Sequence, residues 1–206
     1  MTLSASEVNQ LKQAPADPKI IPAILHRWSP RSFADRDVSS ADLKTIFEAV
    51  RWAASSFNEQ PWRYFVGTRS SETYKKIFQS LGEFNQAWAR SAPVLILNVA
   101  KTTFSHNGSP NPVALYDLGA SAATMCYQAI TLGIFTHQMA GYDRDVARKL
   151  FNLPDDYIFG AAAAMGYLGE PSALPNAQTI AQEIAPRQRK AVSEFVLSAW
   201  DEPAKL

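Results

Sequence analysis

Apolar residues recur at helical spacing in Leu43, Ile46, Phe47 and Val50, and Ser39, with Asp42 three residues on, precedes them in an arrangement resembling a capping box. The same offsets at Tyr74, Ile77, Phe78 and Leu81 predict a second amphipathic helix. A strand is expected after Pro61, through Tyr64, Phe65 and Val66. Residues 94–100 and 158–168 are apolar runs of the kind found in strands covered on both faces. Residues 118–132 read as a long helix rich in Ala and Ser, closed by Gly133 and suited to close helix packing. A shorter helix starts after Asp143, carries Val146, Leu150 and Phe151 on one face, and ends near Pro154.

Between these segments lies one polar loop, residues 101–112, and the chain contains no internal repeat. Helices come first, then strands and helices interleave, which predicts a single α+β domain over residues 1–206. After Pro171 the periodicity fades, yet residues 191–200 bring Phe195, Val196, Leu197 and Trp200 together. A segment that apolar needs a surface to bury against, in its own domain or on a partner subunit.

Composition narrows the function more than the fold. Hydrophobic residues are 47% of the 206 and charged residues 19%, the mix of an ordinary folded domain. Lys plus Arg number 20 against 19 for Asp plus Glu, so no broad positive field exists to gather nucleic acid or an anionic membrane. The longest apolar run, residues 158–168, is well short of the roughly 20 residues that cross a bilayer. Residues 1–16 are polar and helix-prone without a secretory pattern, and the expected compartment is the cytoplasm. Cys126, the one cysteine, reads as a buried inert thiol.

Three segments carry candidate chemistry. In the first, His26 to Phe33, Arg27 and Arg31 flank Trp28, Ser29 and Pro30, a set able to bind a phosphate and the polar edge of a flat heterocycle. Taken alone, a solvated loop is the simpler reading. In the second, Ser55, Ser56, Asn58 and Gln60 place hydroxyls and amides in a turn before Pro61 and Trp62, where they can meet carbonyl and imide groups of a ligand or serve as plain turn chemistry. In the third, Arg187, Arg189 and Lys190 form a dense basic run; adjacent guanidinium groups bind a phosphate monoester by charge-assisted contacts, though a lone run of this kind is usually solvated.

Together, and in this order, these segments resemble the nitroreductase family of flavoproteins. The resemblance runs from Arg27 to about Trp200 and rests on Arg27-x-Ser29-x-Arg31-x-Phe33, Ser55-Ser56-x-Asn58-x-Gln60-Pro61-Trp62, Phe84-Asn85 ahead of Ala92-Pro93, residues 137–143, and Arg187-x-Arg189-Lys190. Residues 1–23, a helical extension, carry little of it.

The resemblance implies a central, mostly antiparallel sheet flanked by helices, a homodimer joined through long helices, and a tail, residues 186–206, exchanged onto the partner subunit. It implies FMN at the dimer interface and NADH or NADPH as electron donor. Arg27, Arg187 and Arg189 would hold the FMN phosphate. Trp28, Ser29 and Arg31 would run along the ribityl chain and pyrimidine edge, with Arg31 near N1 and O2. Asn85 would contact the ring, and the backbone of Ala140 and Gly141 would face N5. Ser55, Ser56, Asn58 and Gln60 would reach the flavin of the other subunit.

Two departures are visible: Ala140 stands where some nitroreductases carry glutamate, and Trp88 where some carry lysine. Phe84 and Trp88, one helical turn apart, would form an aromatic wall of the substrate pocket or pack in the core.

The implied activity passes hydride from NAD(P)H to an electrophile such as a nitroaromatic, a quinone or an activated alkene, with both substrates using one pocket in turn. Alternatives are another redox reaction on the same fold, reductive dehalogenation or small-aldehyde reduction, and a non-catalytic flavin storage or sensing protein. No residue is assigned as acid, base or nucleophile, since the cofactor carries the chemistry. No Gly-x-Gly-x-x-Gly fingerprint is present, and His26, His106 and His137 lack metal-ligand spacing, so no metal site is expected.

Overall fold

The computed structural model describes residues 3–15 and 19–206, so part of the expected N-terminal extension (residues 1, 2 and 16–18) lies outside the described residues. At its centre is β2 (Val94–Lys101), buried along residues 94–100. A strand covered on both faces must be apolar at odd and even positions alike, as that run is except at Asn98. It pairs with β1 (Trp62–Thr68) on one side and β4 (Tyr157–Gly166) on the other, and β3 (Phe135–Met139) adds to the far edge of β4. The sheet, expected to be mostly antiparallel, is antiparallel throughout in the order β1-β2-β4-β3.

Alternation along the strands divides the core in two. Leu95, Leu97 and Val99 join Ala162 and Ala164 on one face, while Val94, Ile96 and Ala100 join Ala163 and Met165 on the other. The first face is covered by α4 (Glu72–Ser80), α5 (Glu83–Ala89) and α7 (Arg144–Phe151) through Ile77, Trp88 and Ala147. The second is covered by α3 (Ser40–Arg51) and α6 (Ala114–Thr131) through Ile46, Val50, Leu118, Met125 and Ala129. Cys126 is buried on α6, and burial pushes its thiol pKa up, as an inert thiol requires.

One polar residue interrupts the buried run. Asn98 sits at a register shift between β2 and β4, where its Oδ1 accepts the Ala161 N–H at 2.8 Å. A Cβ on Gly160 would overlap that oxygen, so the glycine and the bulge belong together.

Local signals set the helix ends. Ser39, Ser71 and Asp143 accept first-turn N–H groups of α3, α4 and α7. At Ser39 the arrangement differs from the expected box: the Asp42 carboxylate takes the Ser39 hydroxyl at 2.7 Å, and the Asp42 N–H donates to Ser39 Oγ at 3.0 Å. Helix α6 begins about one turn earlier than expected and closes at Gly133, whose φ of 70° suits glycine.

Around this body lie α1 (Ala5–Leu11), α2 (Pro22–His26) and α8 (Ala177–Ile184). Helix α8 escapes hydrophobic periodicity because its buried residues, Thr179 and Glu183, are polar. The tail ends in a small hairpin, β5 (Leu197–Ala199) and β6 (Glu202–Pro203), with Phe195 62% and Trp200 88% exposed. It finds little cover among the described residues of its own chain. No described helix is long and apolar enough to cross a membrane.

Gly67 of β1 lies against the first turn of α4, where an added Cβ would overlap main-chain atoms of Thr73 and Tyr74. Because backbone cannot rotate away as a side chain can, Gly67→Ala is expected to cost about 3 kcal/mol, lowering Tm by roughly 6–12 °C in a thermal melt. A melt within 2 °C of wild type, roughly a 1 kcal/mol change or less, would show that the strand and helix separate freely.

Candidate functional site

Residues 27–33 leave α2 as an extended strap across the C-terminal end of β4. Phe33 bridges Leu168, the Ala34 N–H donates to the Tyr167 carbonyl, and the Gly169 N–H donates to the Ser32 carbonyl. The strap is fixed by its main chain. Glu183 of α8 accepts the Arg31 N–H (3.0 Å to each oxygen) and the Ser32 N–H (3.1 Å), and Ser32 Oγ donates to the Glu170 carbonyl at 2.6 Å. His137 Nδ1 lies 2.9 Å from the Pro30 carbonyl, which can only accept, so Nδ1 carries the proton. Arg187 Nη1 donates to the carbonyls of Lys12, Leu25 and Arg27 at 2.9, 3.0 and 3.1 Å.

These anchors leave the side chains of Arg27 and Arg31 turned to a cleft of about 340 Å³. Five of its nine lining residues are cationic (Lys12, Arg27, Arg31, Arg187 and Arg189) and none is acidic, with Trp28, Ser29, His137 and Gln182 completing the wall. Trp28 is buried, its indole N–H donating to Asn9 Oδ1 at 3.0 Å, and Arg27 Nη1 donates to Ser29 Oγ at 3.3 Å. The Nε atoms of Arg31 and Arg187 are buried with no acceptor among the described residues. Cations gathered without a carboxylate among the lining residues give the cleft a positive potential that favours an anion.

Burial dominates the electrostatics here. It pulls His137 from 6.5 to about 4, helped by the Arg31 charge, and it lowers Lys12 and Arg187. Burial pushes Glu183 up, while the N–H groups of Ser32 and Arg31 draw it back.

The expected ring contacts form a second group. Asn85 Nδ2 donates to the Gly141 carbonyl at 2.8 Å, and the Gly82 N–H reaches the same oxygen at 3.0 Å. This ties α5 to the exposed Ala140–Gly141 backbone beyond β3. A side chain at Gly141 would press on Asn85 Nδ2, only 2.9 Å from the Cβ position.

Ser55, Ser56, Asn58 and Gln60 form a third group, against α6. The Gln60 N–H donates to Ser55 Oγ, the Ser56 N–H to buried Asp117, and Gln60 Nε2 to the carbonyl and side-chain oxygens of Asn58. Phe57, Asn58 and Gln60 have φ of 53°, 54° and 50°, a concentration of strain characteristic of functional turns. Among the described residues no hydrogen bond or ring contact joins this turn to the cationic cleft, so one chain does not unite the three groups.

Of the two readings open for Phe84 and Trp88, core packing holds for Trp88. Trp88 and Phe84 do not form a joint wall: Trp88 is 2% exposed and packs on Phe33 and His137 (ring centroids 6.5 and 4.6 Å apart), while Phe84 is 53% exposed. The core beneath the strap takes the larger ring, which makes Trp88 the floor under His137. Arg187, expected at the phosphate, also holds the main chain: its Nη1 donates to three carbonyls, and the residue lines the cleft. The pattern also gave no signal for Lys12, Gln182 or Glu183, which lie in segments without periodicity or motif.

Similarities to known proteins fall on this geometry. The family model described as "Nitroreductase family" matches residues 24–86, which hold the strap and the strained turn. A solved structure described as an oxidoreductase containing FMN shares 31% identity and a TM-score of 0.82, covering 96% of this chain and 97% of its own. A nitroreductase family protein of Clostridium difficile 630 superposes with a TM-score of 0.63 at 25% identity, over 84% of this chain and 93% of its own. The major NAD(P)H-flavin oxidoreductase of Aliivibrio fischeri is 28% identical over 91 residues, 43% of this chain and 42% of that protein.

The depressed His137 gives the site a pH signature. The unfolded chain binds this proton near 6.5 and the folded chain only near 4, so stability is lost as pH falls through that window. His137→Asn, which keeps an N–H for the Pro30 carbonyl, should flatten the decline of Tm between those values. Equal slopes in the two proteins would remove His137 from the pH response.

Proposed function

The chain belongs to the nitroreductase family, and from that premise we propose that it is an FMN-dependent oxidoreductase, working as a homodimer, that uses NADH or NADPH to reduce an electrophile such as a nitroaromatic, a quinone or an activated alkene. The observation that carries this reading is the cleft of five cations with two buried, unpartnered guanidinium Nε atoms. Residues and cofactor fit: a phosphate monoester carries about two negative charges near neutral pH and offers acceptors to several donors at once.

Arg27 and Arg189 would bind the phosphate with the guanidinium donors that remain beyond their bonds to Ser29 Oγ and the Gln188 carbonyl, and Arg187 would add its charge while holding the strap through Nη1. Ser29 serves the ribityl chain. Arg31 would supply a positive potential at the pyrimidine edge. Bound FMN supplies a ring able to take hydride and deliver electrons. Asn85 and the Ala140–Gly141 backbone orient that ring, and Ser55, Ser56, Asn58 and Gln60 complete the site from the second subunit, which explains why one chain leaves them apart. His137 positions the strap and moves no proton, since it is neutral and its Nδ1 proton is held by Pro30.

The dimer follows from surface as well as site. Leu115 and Tyr116 of α6 (46% and 80% exposed) and the tail residues Phe195 and Trp200 leave large apolar groups in water unless a second copy covers them. Residues 186–206 are the segment exchanged between subunits.

The purified protein should be yellow with a flavin spectrum, bleach on addition of NADH or NADPH, and recover its colour with a quinone. A flavin that NAD(P)H cannot bleach would favour storage or sensing over turnover. The double variant Arg27→Ala/Arg189→Ala should bind FMN at least tenfold more weakly, by loss of charge-assisted hydrogen bonds worth about 1.5–3 kcal/mol each, while keeping its affinity for riboflavin. Equal losses for both ligands would move the phosphate elsewhere. Sedimentation at low micromolar concentration should give a dimer; a flavin-saturated monomer would refute the shared site.

A further inference from the structure

Lys12 ends α1, in the part of the chain with least family signal, yet its side chain lines the cationic cleft. The residue is 6% exposed. An ammonium has three donors, and here one of them makes a long hydrogen bond of 3.4 Å to the Gln182 carbonyl. The Trp28 ring lies beneath it, 5.0 Å from Nζ to the centroid. No carboxylate forms an ion pair with it among the described residues. The nearby Glu183 carboxylate attracts the ammonium but is shared with the Arg31 and Ser32 N–H groups, and the guanidinium groups of Arg31 and Arg187 add like charge.

A buried ammonium so placed is expensive, and truncating it to an apolar chain would relieve the protein. Its retention makes sense if an anion enters the cleft. Two other residues that line the cleft, Arg31 and Arg187, each carry a buried Nε without a partner among the described residues, so unbalanced cationic groups gather around it.

We propose that the Lys12 ammonium is a ligand of the cofactor's phosphate ester, and that α1 is thereby latched to the loaded cleft; this rests on the FMN reading above. The rest of α1 is attached by weaker or neutral means. Val8 is buried, Asn9 Oδ1 takes the Trp28 indole N–H, the Ala5 N–H donates to Glu170, and the Lys12 carbonyl accepts Arg187 Nη1. Through Lys12 the N-terminal segment places a cationic side chain in the wall of the cleft. Cofactor binding therefore tightens a segment that sequence places outside the family pattern.

The test uses flavin-stripped full-length protein, with FMN and riboflavin as paired ligands and inorganic phosphate as a third. Lys12→Met keeps the apolar stem and removes the charge, so the stripped variant should melt no lower than wild type. It should bind FMN about 10- to 100-fold more weakly, the equivalent of one charged hydrogen bond, with riboflavin affinity unchanged. Lys12→Arg should retain most of the FMN affinity. Amide hydrogen exchange in α1 should slow on FMN binding in wild type and far less in Lys12→Met, and inorganic phosphate should raise the wild-type Tm more than the variant's. Unchanged FMN affinity in Lys12→Met, or equal losses for FMN and riboflavin, would overturn the assignment while leaving the enzyme reading intact. Wild type that takes up neither flavin would overturn the FMN reading and this assignment with it.

Discussion

Strand β2 is covered on both faces, and that constraint organises the protein. A central strand flanked by β1 and β4 has no edge to expose, so each of its side chains must be matched by a helix above or below. Alanines at 161–164 of β4 keep the neighbouring strand thin, leaving room for Trp88 and Ile77 on one side and Met125 and Leu118 on the other. The site sits at one end of this frame. The strap is laid across residues 166–169 where β4 ends, His137 comes from β3, and Asn85 reaches Gly141 from α5, so the cleft and the Asn85–Gly141 contact are both anchored to the sheet.

The cleft imposes the opposite demand. Five cations in one small volume repel one another in a low-dielectric setting, and the fold tolerates this only because main-chain hydrogen bonds fix the strap independently of its charges. Glu183 grips N–H groups, His137 and Arg187 grip carbonyls, and none of these contacts uses the Arg27 or Arg31 side chains. The charges are thus held ready rather than neutralised. Such preorganisation lets a bound anion gain the full charge-assisted interaction without first paying to order its ligands.

How much of this the sequence reveals depends on which signal a residue carries. Helices α3, α4, α6 and α7 and strands β1, β2 and β4 were legible because periodicity and caps such as Ser39, Asp143 and Gly133 coincide. Helix α8 was not, since it turns Thr179 and Glu183 inward and its polarity imitates a surface loop. The strap, turn and basic run were legible as motifs, whereas Lys12, Gln182 and Glu183 reach the cleft only through tertiary packing and have no local pattern to betray them. Trp88 shows a further limit: helical spacing placed it with Phe84, but burial against Phe33 and His137 decided its direction.

The two ends of the chain meet at the cleft, and this shapes how the site is assembled. Arg187 Nη1 bonds to the Lys12 carbonyl across a separation of 175 residues, and Lys12 Nζ to the Gln182 carbonyl across 170. Contacts of such range require most of the chain to be in place before they reward loop closure. The sheet and its helices can form without them, because no strand contact depends on residues 12 or 187. The contacts that close this end of the cleft are therefore long-range, and they bring like charges together. An anion that binds the folded cleft stabilises it by mass action.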